Sequence, residues 1–434
     1  MRIAPNAPLI ALSAVFLAAC SSSSVSKSEC APNAVSSCSH PSGCAATSTC
    51  GADRAPGPCL CQDAGADGSA GTGGGAGTAG TGGSGGDASV DAPADSGTGG
   101  TAADGGDAAV SCDAGLVACG SSCTTTASDP KHCGACGHDC RGGSCTLGKC
   151  DPVLIADSQT NPTAISVTPA YVLWVELNDP GRVMHAPLLG GSATPLAASQ
   201  PYPADVSTGG STAYWINKVN LAGEVLSVSL SGGTPSPVVG SLNSPSSIAS
   251  DAADVFFSDE NDGTITRAPS TVVASSQSRP VSVALDATHV YWSNFGPAGD
   301  AGVGAGAILR VPRSGGTPET LAGGLTKPSS VFVAGGRVFW VTAEAAGTVQ
   351  SAAVGGGALT VHATAQAKPT SVAADATHVY WVNQTGGSVM RVSLVGGTPE
   401  TVIPGQSQPI SIAVDDTSVY WTNYVGGTVM RWAK

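Results

Sequence analysis

Residues 369–394, PTSVAADATHVYWVNQTGGSVMRVSL, contain three predicted strands of one structural unit and decide the fold of the second half of the chain. Short runs of β-branched, aromatic and small residues alternate here with turn residues. Such runs, bounded by Gly, Asp and Asn, predict strands joined by tight turns. A further turn at Gly396-Gly397 introduces a fourth strand. The stretch therefore predicts a small four-stranded antiparallel sheet.

The unit recurs along the chain. A proline precedes a buried-type aromatic residue by twelve residues in seven copies. The aromatic residues are Trp174, Trp215, Phe257, Trp292, Trp340, Trp381 and Trp421, and the prolines are Pro162, Pro203, Pro245, Pro280, Pro328, Pro369 and Pro409. A period of about 40 residues with several strands per unit is typical of a β-propeller, because one small sheet cannot bury its faces alone. The sequence predicts an all-β fold with seven blades and no substantial helix.

The two ends of the repeat array predict how the ring closes. The chain ends at Lys434, after only three strands of the seventh unit. Residues 152–160 precede Pro162 in the way that an outer strand precedes the other prolines. We expect this N-terminal strand to complete the last blade, which removes two open sheet edges. The predicted propeller domain is 151–434.

The second strand carries a family resemblance. Tyr380-Trp-Val-Asn and Tyr420-Trp-Thr-Asn, each followed by Gly-x-Val-x-Arg or a close variant, resemble the Tyr-Trp-Thr-Asp repeats of receptor propellers and related bacterial propellers. The resemblance covers about 152–434 and implies the propeller fold. This chain has Asn where that family favours Asp, and seven units rather than six.

The N-terminus resembles a bacterial lipoprotein signal. An apolar run follows one Arg and ends in Leu17-Ala-Ala-Cys20. Residues 1–19 are thus predicted to be a signal peptide and Cys20 the lipidated first residue. Because Ser21 follows the cysteine, the resemblance implies a lipid-anchored protein of the bacterial outer membrane, facing either the periplasm or the exterior. An ordinary secretory signal cleaved elsewhere is the alternative.

Fourteen further cysteines form two even groups, and none lies in the predicted propeller. The first group is in segment 20–61, and the second is in segment 112–150. Their members are Cys30, Cys38, Cys44, Cys50, Cys59 and Cys61, then Cys112, Cys119, Cys123, Cys133, Cys136, Cys140, Cys145 and Cys150. Even numbers in an exported chain favour disulfides, with the connectivity left open. Segment 112–150 also resembles cysteine-rich modules of myxobacterial surface lipoproteins.

Residues 62–111, between the cysteine groups, are almost entirely Gly, Ala, Ser, Thr and Asp. This composition buries too little apolar surface to fold, and it predicts a disordered linker. The whole chain has a net charge of −13 and no basic cluster. A nucleic-acid partner is therefore not expected.

Three groups of residues suggest chemistry, and each has a simpler interpretation. His132, Cys133 and Cys136, with His138 and Cys140, match zinc ligands, but disulfides are favoured in an oxidising envelope. Residues 259–262, Asp-Glu-Asn-Asp, offer calcium ligands, but solvated turn residues are the favoured interpretation. His289 and His378 occupy the same point of two repeats, expected one blade apart, and are interpreted as turn histidines. No metal or cofactor is predicted.

The polar residue two positions after each aromatic residue recurs in every repeat, which indicates a structural role. These residues are Glu176, Asn217, Asp259, Asn294, Thr342, Asn383 and Asn423. The insertion 295–305 lengthens one repeat and is a weak candidate for ligand contact.

The sequence thus favours an envelope-anchored, non-catalytic binding or scaffold protein that presents one face of a propeller to a protein or a glycan. The alternative is a propeller lyase or hydrolase, which would require charged residues unique to one blade at the channel mouth. A propeller that merely spaces the cysteine segments is a third possibility.

Overall fold

The structure is a computed structural model that describes residues 110–297 and 304–434, together with the backbone of three strands nearer the N-terminus. Those three are β1 (Val35–Ser39), β2 (Ala45–Thr49) and β3 (Leu60–Cys61), which form an antiparallel sheet in that order. They belong to a unit separate from the rest. The predicted signal, Cys20 and the side chains of the first cysteine group lie outside the described residues, as does nearly all of the predicted linker.

Residues 110–150 form a small module without a core of its own. Its regular structure is two short hairpins: β4 (Val117–Cys119) with β5 (Ser122–Thr124), and β6 (Cys145–Thr146) with β7 (Lys149–Cys150). Four disulfides join its eight cysteines. The pairs are Cys112–Cys123, Cys119–Cys136, Cys133–Cys145 and Cys140–Cys150. Covalent bridges replace the apolar burial that such a short segment cannot provide.

Residues 153–434 form seven four-stranded antiparallel sheets, each running from an inner to an outer strand. Blade 1 has β9 (Pro162–Val167), β10 (Tyr171–Glu176), β11 (Gly181–Pro187) and β12 (Thr194–Gln200). Blade 2 has β13 (Pro203–Gly209), β14 (Thr212–Asn217), β15 (Gly223–Ser229) and β16 (Ser236–Leu242). Blade 3 has β17 (Pro245–Ser250), β18 (Val255–Asp259), β19 (Thr264–Arg267) and β20 (Thr271–Ala274). Blade 4 has β21 (Pro280–Leu285), β22 (His289–Asn294), β23 (Gly306–Pro312) and β24 (Glu319–Leu325).

The remaining blades follow the same plan. Blade 5 has β25 (Pro328–Ala334), β26 (Arg337–Thr342), β27 (Gly347–Ala353) and β28 (Thr360–Gln366). Blade 6 has β29 (Pro369–Ala374), β30 (His378–Asn383), β31 (Ser388–Ser393) and β32 (Glu400–Ile403). Blade 7 has β33 (Pro409–Val414), β34 (Ser418–Asn423) and β35 (Thr428–Ala433), and its outer strand is β8 (Val153–Ala156).

The ring is closed between the first and the last blade. Each inner strand contacts the next around the ring, and β33 contacts β9 in the same way. Strand β8 pairs antiparallel with β35, with Arg431 opposite Val153 and Val429 opposite Ala156. The predicted seven-bladed propeller and its closure by an N-terminal outer strand are both confirmed. No helix is found among the described residues, and hence none that could cross a bilayer.

The recurring tryptophans lie between blades. Trp215 packs with Leu173 and Val175 of the preceding blade, and Trp381 packs with Phe339 and Val341 in the same way. Each of the six tryptophans at this position is fully buried. Truncating one to Ala would cost about 3–5 kcal/mol of the free energy of unfolding, because the cavity would open between two sheets.

Two faces of the ring follow from this strand order. The inner strand of every blade starts, and the second strand ends, at one face, which we call the mouth face. It carries the connections between blades and the loops between the second and third strands. The opposite face carries the turns between first and second strands and between third and fourth strands.

Candidate functional site

A glutamine clamps five of the tryptophans to the preceding blade. The indole Nε1 donates to a glutamine Oε1 that lies 15 residues earlier, near the end of the previous outer strand. The bonds are Trp174 to Gln159 (3.0 Å), Trp215 to Gln200 (3.1 Å), Trp292 to Gln277 (2.9 Å), Trp381 to Gln366 (2.9 Å) and Trp421 to Gln406 (2.8 Å). Sequence reasoning missed these glutamines, although their constant spacing was a visible signal.

The recurring polar residue two positions after the tryptophan belongs to the same clamp. Asn217, Asn294, Asn383 and Asn423 each donate from Nδ2 to that glutamine, over 2.9–3.1 Å. In blade 1, Glu176 instead accepts from the N–H of Thr160. The structural role predicted for this position therefore holds, with a partner in the preceding blade in six cases, whereas Thr342 of blade 5 bonds to Thr348 in its own hairpin.

Two blades lack the glutamine. In blade 5 the equivalent residue is Leu325, and the indole N–H of Trp340 has no hydrogen-bond partner among the described residues. Leu242 stands there in blade 3, where the aromatic residue is Phe257 and has no N–H to satisfy. In this blade Asp259 connects blade 3 to blade 2, because its carboxylate accepts from the N–H groups of Asn243 and Ser244.

The turn interpretation of residues 259–262 holds for the backbone bonds, since Asp259 accepts from the N–H groups of Asn261 and Asp262. Asp259 and Glu260 are not solvated, however. Asp259 is 2% exposed, since its carboxylate is used by four backbone N–H groups. Glu260 forms ion pairs with Lys218 (3.0 Å) and Arg279 (2.6 Å). Both carboxylates are thus committed to the protein and do not form a calcium site.

His289 and His378 begin β22 and β30, directly after equivalent turns on the opposite face, which supports their interpretation as turn histidines. They are two blades apart, however, rather than one. Each imidazole Nδ1 bonds to the hydroxyl of the preceding threonine, and each backbone N–H donates to an aspartate that starts the turn, Asp286 or Asp375. A tyrosine hydroxyl of the next strand donates to the same carboxylate. The two histidines lie in blades 4 and 6, with blade 5 between them, and form no common site.

The hypothesis of a zinc site in the module is wrong, because its cysteine sulfur atoms are oxidised. Cys133, Cys136 and Cys140 are all in disulfides, so they offer no thiolate. His132 accepts from the N–H of Gly137, and His138 bonds to two backbone carbonyls.

A central channel runs between the inner strands. Its lining includes the residue two positions after each repeat proline, and this ring consists of Ala164, Asp205, Ser247, Ser282, Ser330, Ser371 and Ser411. The cavity is about 410 Å³ at the mouth and about 320 Å³ deeper in. Four of the serine hydroxyls accept from a backbone N–H of the next blade, at Val283, Val331, Val372 and Ile412, over 3.0–3.2 Å.

Asp205 is the one charged residue of this ring. Its Oδ2 accepts from the N–H of Ile248 in the next blade, as the serines do, and its Oδ1 accepts from its own neighbour Val206. In blades 3 to 7 the equivalent N–H donates to a side-chain oxygen of the preceding blade. For Val206 the residue at that position is Ala164, whose side chain has no acceptor. The two carboxylate oxygens of Asp205 therefore accept both the N–H of Ile248 and the N–H of Val206.

The channel also changes how Asp205 titrates. Burial raises the pKa of its carboxyl from the ordinary value to about 6, although bonds from Ile248, Ser247 and Val206 act in the lowering direction. A carboxylic acid that ionises near pH 6 is suited to proton transfer at neutral pH. Asp205 nevertheless stands without a histidine or a second carboxylate among the described residues that line the channel.

Around the channel mouth, every blade presents two side chains on a fixed backbone pair. The residue three positions after the aromatic donates its N–H to the carbonyl of the residue before the repeat proline, over 2.9–3.1 Å. These mouth pairs are Asn161 and Leu177, Tyr202 and Lys218, Ser244 and Glu260, Arg279 and Phe295, Lys327 and Ala343, Lys368 and Gln384, and Gln408 and Tyr424. The backbone repeats seven times, whereas no side-chain pair occurs twice.

The first member of six mouth pairs has a positive φ without being glycine. The values are 49° for Asn161, 48° for Tyr202, 56° for Arg279, 49° for Lys327, 55° for Lys368 and 55° for Gln408. Most side chains lose about 1 kcal/mol in this region, and glycine would lose none. Because six of the seven blades share this geometry, it belongs to the repeated frame that holds the mouth side chains.

The mouth pairs are basic in an acidic chain. They contain Lys218, Arg279, Lys327 and Lys368 against the single acid Glu260. Glu260 bridges Lys218 and Arg279, and the Arg279 guanidinium lies 5.1 Å from the Phe295 ring centre. Lys327 and Lys368 form no ion pair with any described residue.

The insertion of blade 4 starts at this cluster. Phe295, the first residue of the insertion, lines the channel mouth together with Arg279, and ligand contact by residues 295–305 stays a prediction. Residues 298–303 lie outside the described part of the chain.

Comparison with known proteins supports the fold. No family model and no curated protein sequence matches the chain. A streptogramin B lyase structure is 12% identical, with a TM-score of 0.53, and the match covers 65% of this chain and 96% of the lyase. Virginiamycin B lyase from Staphylococcus aureus is 14% identical, with a TM-score of 0.53, over 65% of this chain and 98% of the other. At these identities the similarity shows a common propeller fold alone.

A nidogen/laminin complex also matches, at 14% identity over 61% of this chain and 89% of that chain. Its TM-score is 0.42, which is too low to support any conclusion about this protein.

Proposed function

We propose that the propeller is a recognition module that binds an acidic partner, a glycan or a protein segment, at its mouth face. The observation that carries this proposal is the set of mouth pairs, in which a sevenfold backbone holds side chains that differ in every blade. Repeated residues such as the clamp glutamines maintain the blades. The mouth-pair side chains vary although their backbone is constant, so the fold does not fix their identity and they can bind a ligand. Rigid scaffolds commonly present binding residues on such loops.

The charge of the mouth pairs guides the class of partner, although the loops of the same face also carry acidic residues. These are Asp157, Asp179, Asp262 and Glu344. Four basic side chains surround a channel lined by serine hydroxyls, and two of them, Lys327 and Lys368, have no carboxylate partner among the described residues. Tyr202, which is 47% exposed, and Phe295 add aromatic surface beside them. An acidic polymer would neutralise the lysines, and the rings would pack against its apolar faces.

Defined polymers test the proposal. The protein with Cys20 replaced by Ser would be immobilised and titrated with polygalacturonate for the glycan class, polyglutamate for the protein class and dextran as a neutral polymer. We expect one acidic polymer to bind and dextran not to bind. Lys327→Glu with Lys368→Glu should weaken that binding roughly tenfold or more, because both substitutions reverse charge at the contact.

Lys149→Glu is the matched control. Lys149, like Lys368, is an exposed lysine, and it lies in the cysteine module. Equal loss of binding in the control, or equal binding of dextran, would show that the mouth face is not a specific acidic site.

Catalysis is the second candidate, and Asp205 is the observation that favours it. A carboxyl with a pKa near 6 in a channel could transfer a proton to or from a bound substrate. Both of its oxygens are already engaged by backbone N–H groups, which favours the structural interpretation. Turnover of a bound polymer that disappears in Asp205→Asn, while binding persists, would establish an enzyme instead.

We further propose that a lipid on Cys20 holds the protein at the bacterial outer membrane. The sequence around the predicted cleavage point supports this proposal. Mass spectrometry of the mature N-terminus tests it, since a diacylated or triacylated Cys20 is the expected product. Membrane attachment that survives Cys20→Ser would overturn it.

A further inference from the structure

A second cavity lies on the opposite face, between blades 1 and 7 and the cysteine module. It has a volume of about 350 Å³, which is enough for a small organic molecule. Its walls are Arg141 of the module, the turns of blade 1 that contain Pro169 and Leu189, and residues of blade 7 that include Tyr420 and Arg431. We call it the module cavity.

Arg431 is a buried cation with no carboxylate opposite it on the neighbouring strand. The equivalent arginines of blades 4 and 6 face a glutamate on the outer strand: Arg310 is opposite Glu319 and 2.7 Å from it, and Arg391 is opposite and bonded to Glu400. In blade 7 the outer strand is β8, and the residue opposite Arg431 is Val153. Blade 3 also lacks such a glutamate, since its Arg267 is opposite Thr271, but Arg431 is the one buried arginine among these four.

The protein compensates the charge of Arg431 only in part. The Arg431 guanidinium, 2% exposed, donates to the carbonyls of Leu188 and Arg141, and its Nε has no partner. A guanidinium has five N–H groups, so three remain without an acceptor among the described residues. Burial lowers the pKa of Arg431, which shows that the site opposes an uncompensated charge.

The other charges around the module cavity leave it positive. Arg141 is exposed, forms no ion pair with any described residue and adopts a φ of 50° that strains a non-glycine residue. Asp415 is the one acid in the lining, and its carboxylate is already used by Thr417 and the Tyr420 hydroxyl. Two arginines thus line the cavity together with one committed carboxylate.

The blade 1 side of the wall is apolar. Pro169, Pro187 and Leu188 line it, and Leu189 lies at its edge with 73% of its surface exposed. We propose that the module cavity binds a small organic carboxylate, whose anionic group neutralises Arg431 and Arg141 and whose hydrocarbon part lies against Pro187 and Leu189. The ligand supplies the charge that Glu319 and Glu400 supply in blades 4 and 6, and guanidinium groups bind carboxylates with suitable geometry.

Hexanoate is the probe, and hexanamide is its neutral analogue. Saturation-transfer NMR and calorimetric titration would measure the binding of each to the full chain. We expect hexanoate to bind and hexanamide to bind at least roughly tenfold more weakly, because it lacks the charge. Equal affinity for the two would overturn the proposal, and so would the absence of hexanoate binding at about 10 mM.

Exposed positions provide variants that should fold. Leu189→Asp places a carboxylate at the cavity edge and should weaken hexanoate roughly tenfold, whereas Leu221→Asp, at a position with nearly the same exposure (72%) in blade 2, should change it less than about twofold. Arg141→Gln should also weaken hexanoate. If Leu189→Asp and Arg141→Gln bind hexanoate like the parent protein, the anion lies elsewhere and the proposal fails.

Discussion

The indole Nε1 of Trp432 donates a hydrogen bond of 3.1 Å to the carbonyl of Cys150, although the two residues are 282 positions apart. Cys150 ends the disulfide module, and β8 follows it directly. His138 of the module also bonds to the carbonyl of Lys434 over 2.6 Å. The module therefore holds both chain segments that must meet for the ring to close.

This contact predicts that one disulfide of the module stabilises the propeller. Replacing both Cys140 and Cys150 by Ser should lower the free energy of unfolding of the propeller by about 2–3 kcal/mol, because β8 loses its covalent support beside β35. Chemical denaturation followed by tryptophan fluorescence measures it. The same replacement at Cys112 and Cys123, which are distant in sequence from β8, should leave the propeller transition unchanged. A similar loss in both pairs would contradict a specific role in closure.

The clamp predicts different costs for two buried tryptophans. Trp381→Phe removes a hydrogen bond to Gln366, whereas Trp340→Phe removes an N–H that has no partner. Both indoles are fully buried, so the loss of volume is matched. We expect Trp381→Phe to lower the free energy of unfolding by about 1–2 kcal/mol more than Trp340→Phe. Equal denaturation midpoints would show that the clamp bonds add nothing to stability.

The raised pKa of Asp205 predicts that the free energy of unfolding increases on mild acidification. Its pKa in the folded protein, about 6, lies above that of an unfolded aspartate, so the folded state takes up the proton first as pH falls. Relative to Asp205→Asn, the parent protein should gain up to about 3 kcal/mol between pH 7 and pH 4, and less where channel water screens the charge. Urea unfolding of both proteins across this range measures the difference. Parallel pH profiles would contradict the raised pKa.

Asp286 predicts the opposite trend at lower pH. Burial acts to raise its pKa, but bonds from the Tyr291 hydroxyl and two backbone N–H groups outweigh burial and hold the pKa at about 2. The stability that this carboxylate provides is present above the pKa of an unfolded aspartate and is lost as pH falls towards 2. Asp286→Asn should therefore lose less stability than the parent protein between pH 4 and pH 2. Acid unfolding monitored by circular dichroism tests it, with Asp113→Asn, at an exposed position, as the control.

Much of the fold was predictable from sequence, because a propeller repeats a local pattern. Strand period, turn glycines and the fixed distance from proline to tryptophan are properties of short segments, and they recur in seven copies. The missing fourth strand at Lys434 and the spare one after Cys150 also predicted the closure. The clamp glutamines were equally regular in spacing but went unnoticed, because a single glutamine before a turn has no distinctive pattern of its own.

The sites depended on which residues the closed ring brings together. Nothing near Asp205 in sequence shows that Ala164, one blade away, offers no acceptor for the N–H of Val206, so that Asp205 has to accept it. Similarly, the residue opposite Arg431 is Val153, and these two meet only when β8, from the other end of the chain, pairs with β35. The sequence by itself determined the number of blades and the way in which they join, since these follow from local periodicity. Only the tertiary structure decided where charge is left uncompensated, because that balance is set between residues that are far apart in the chain and meet when the ring closes.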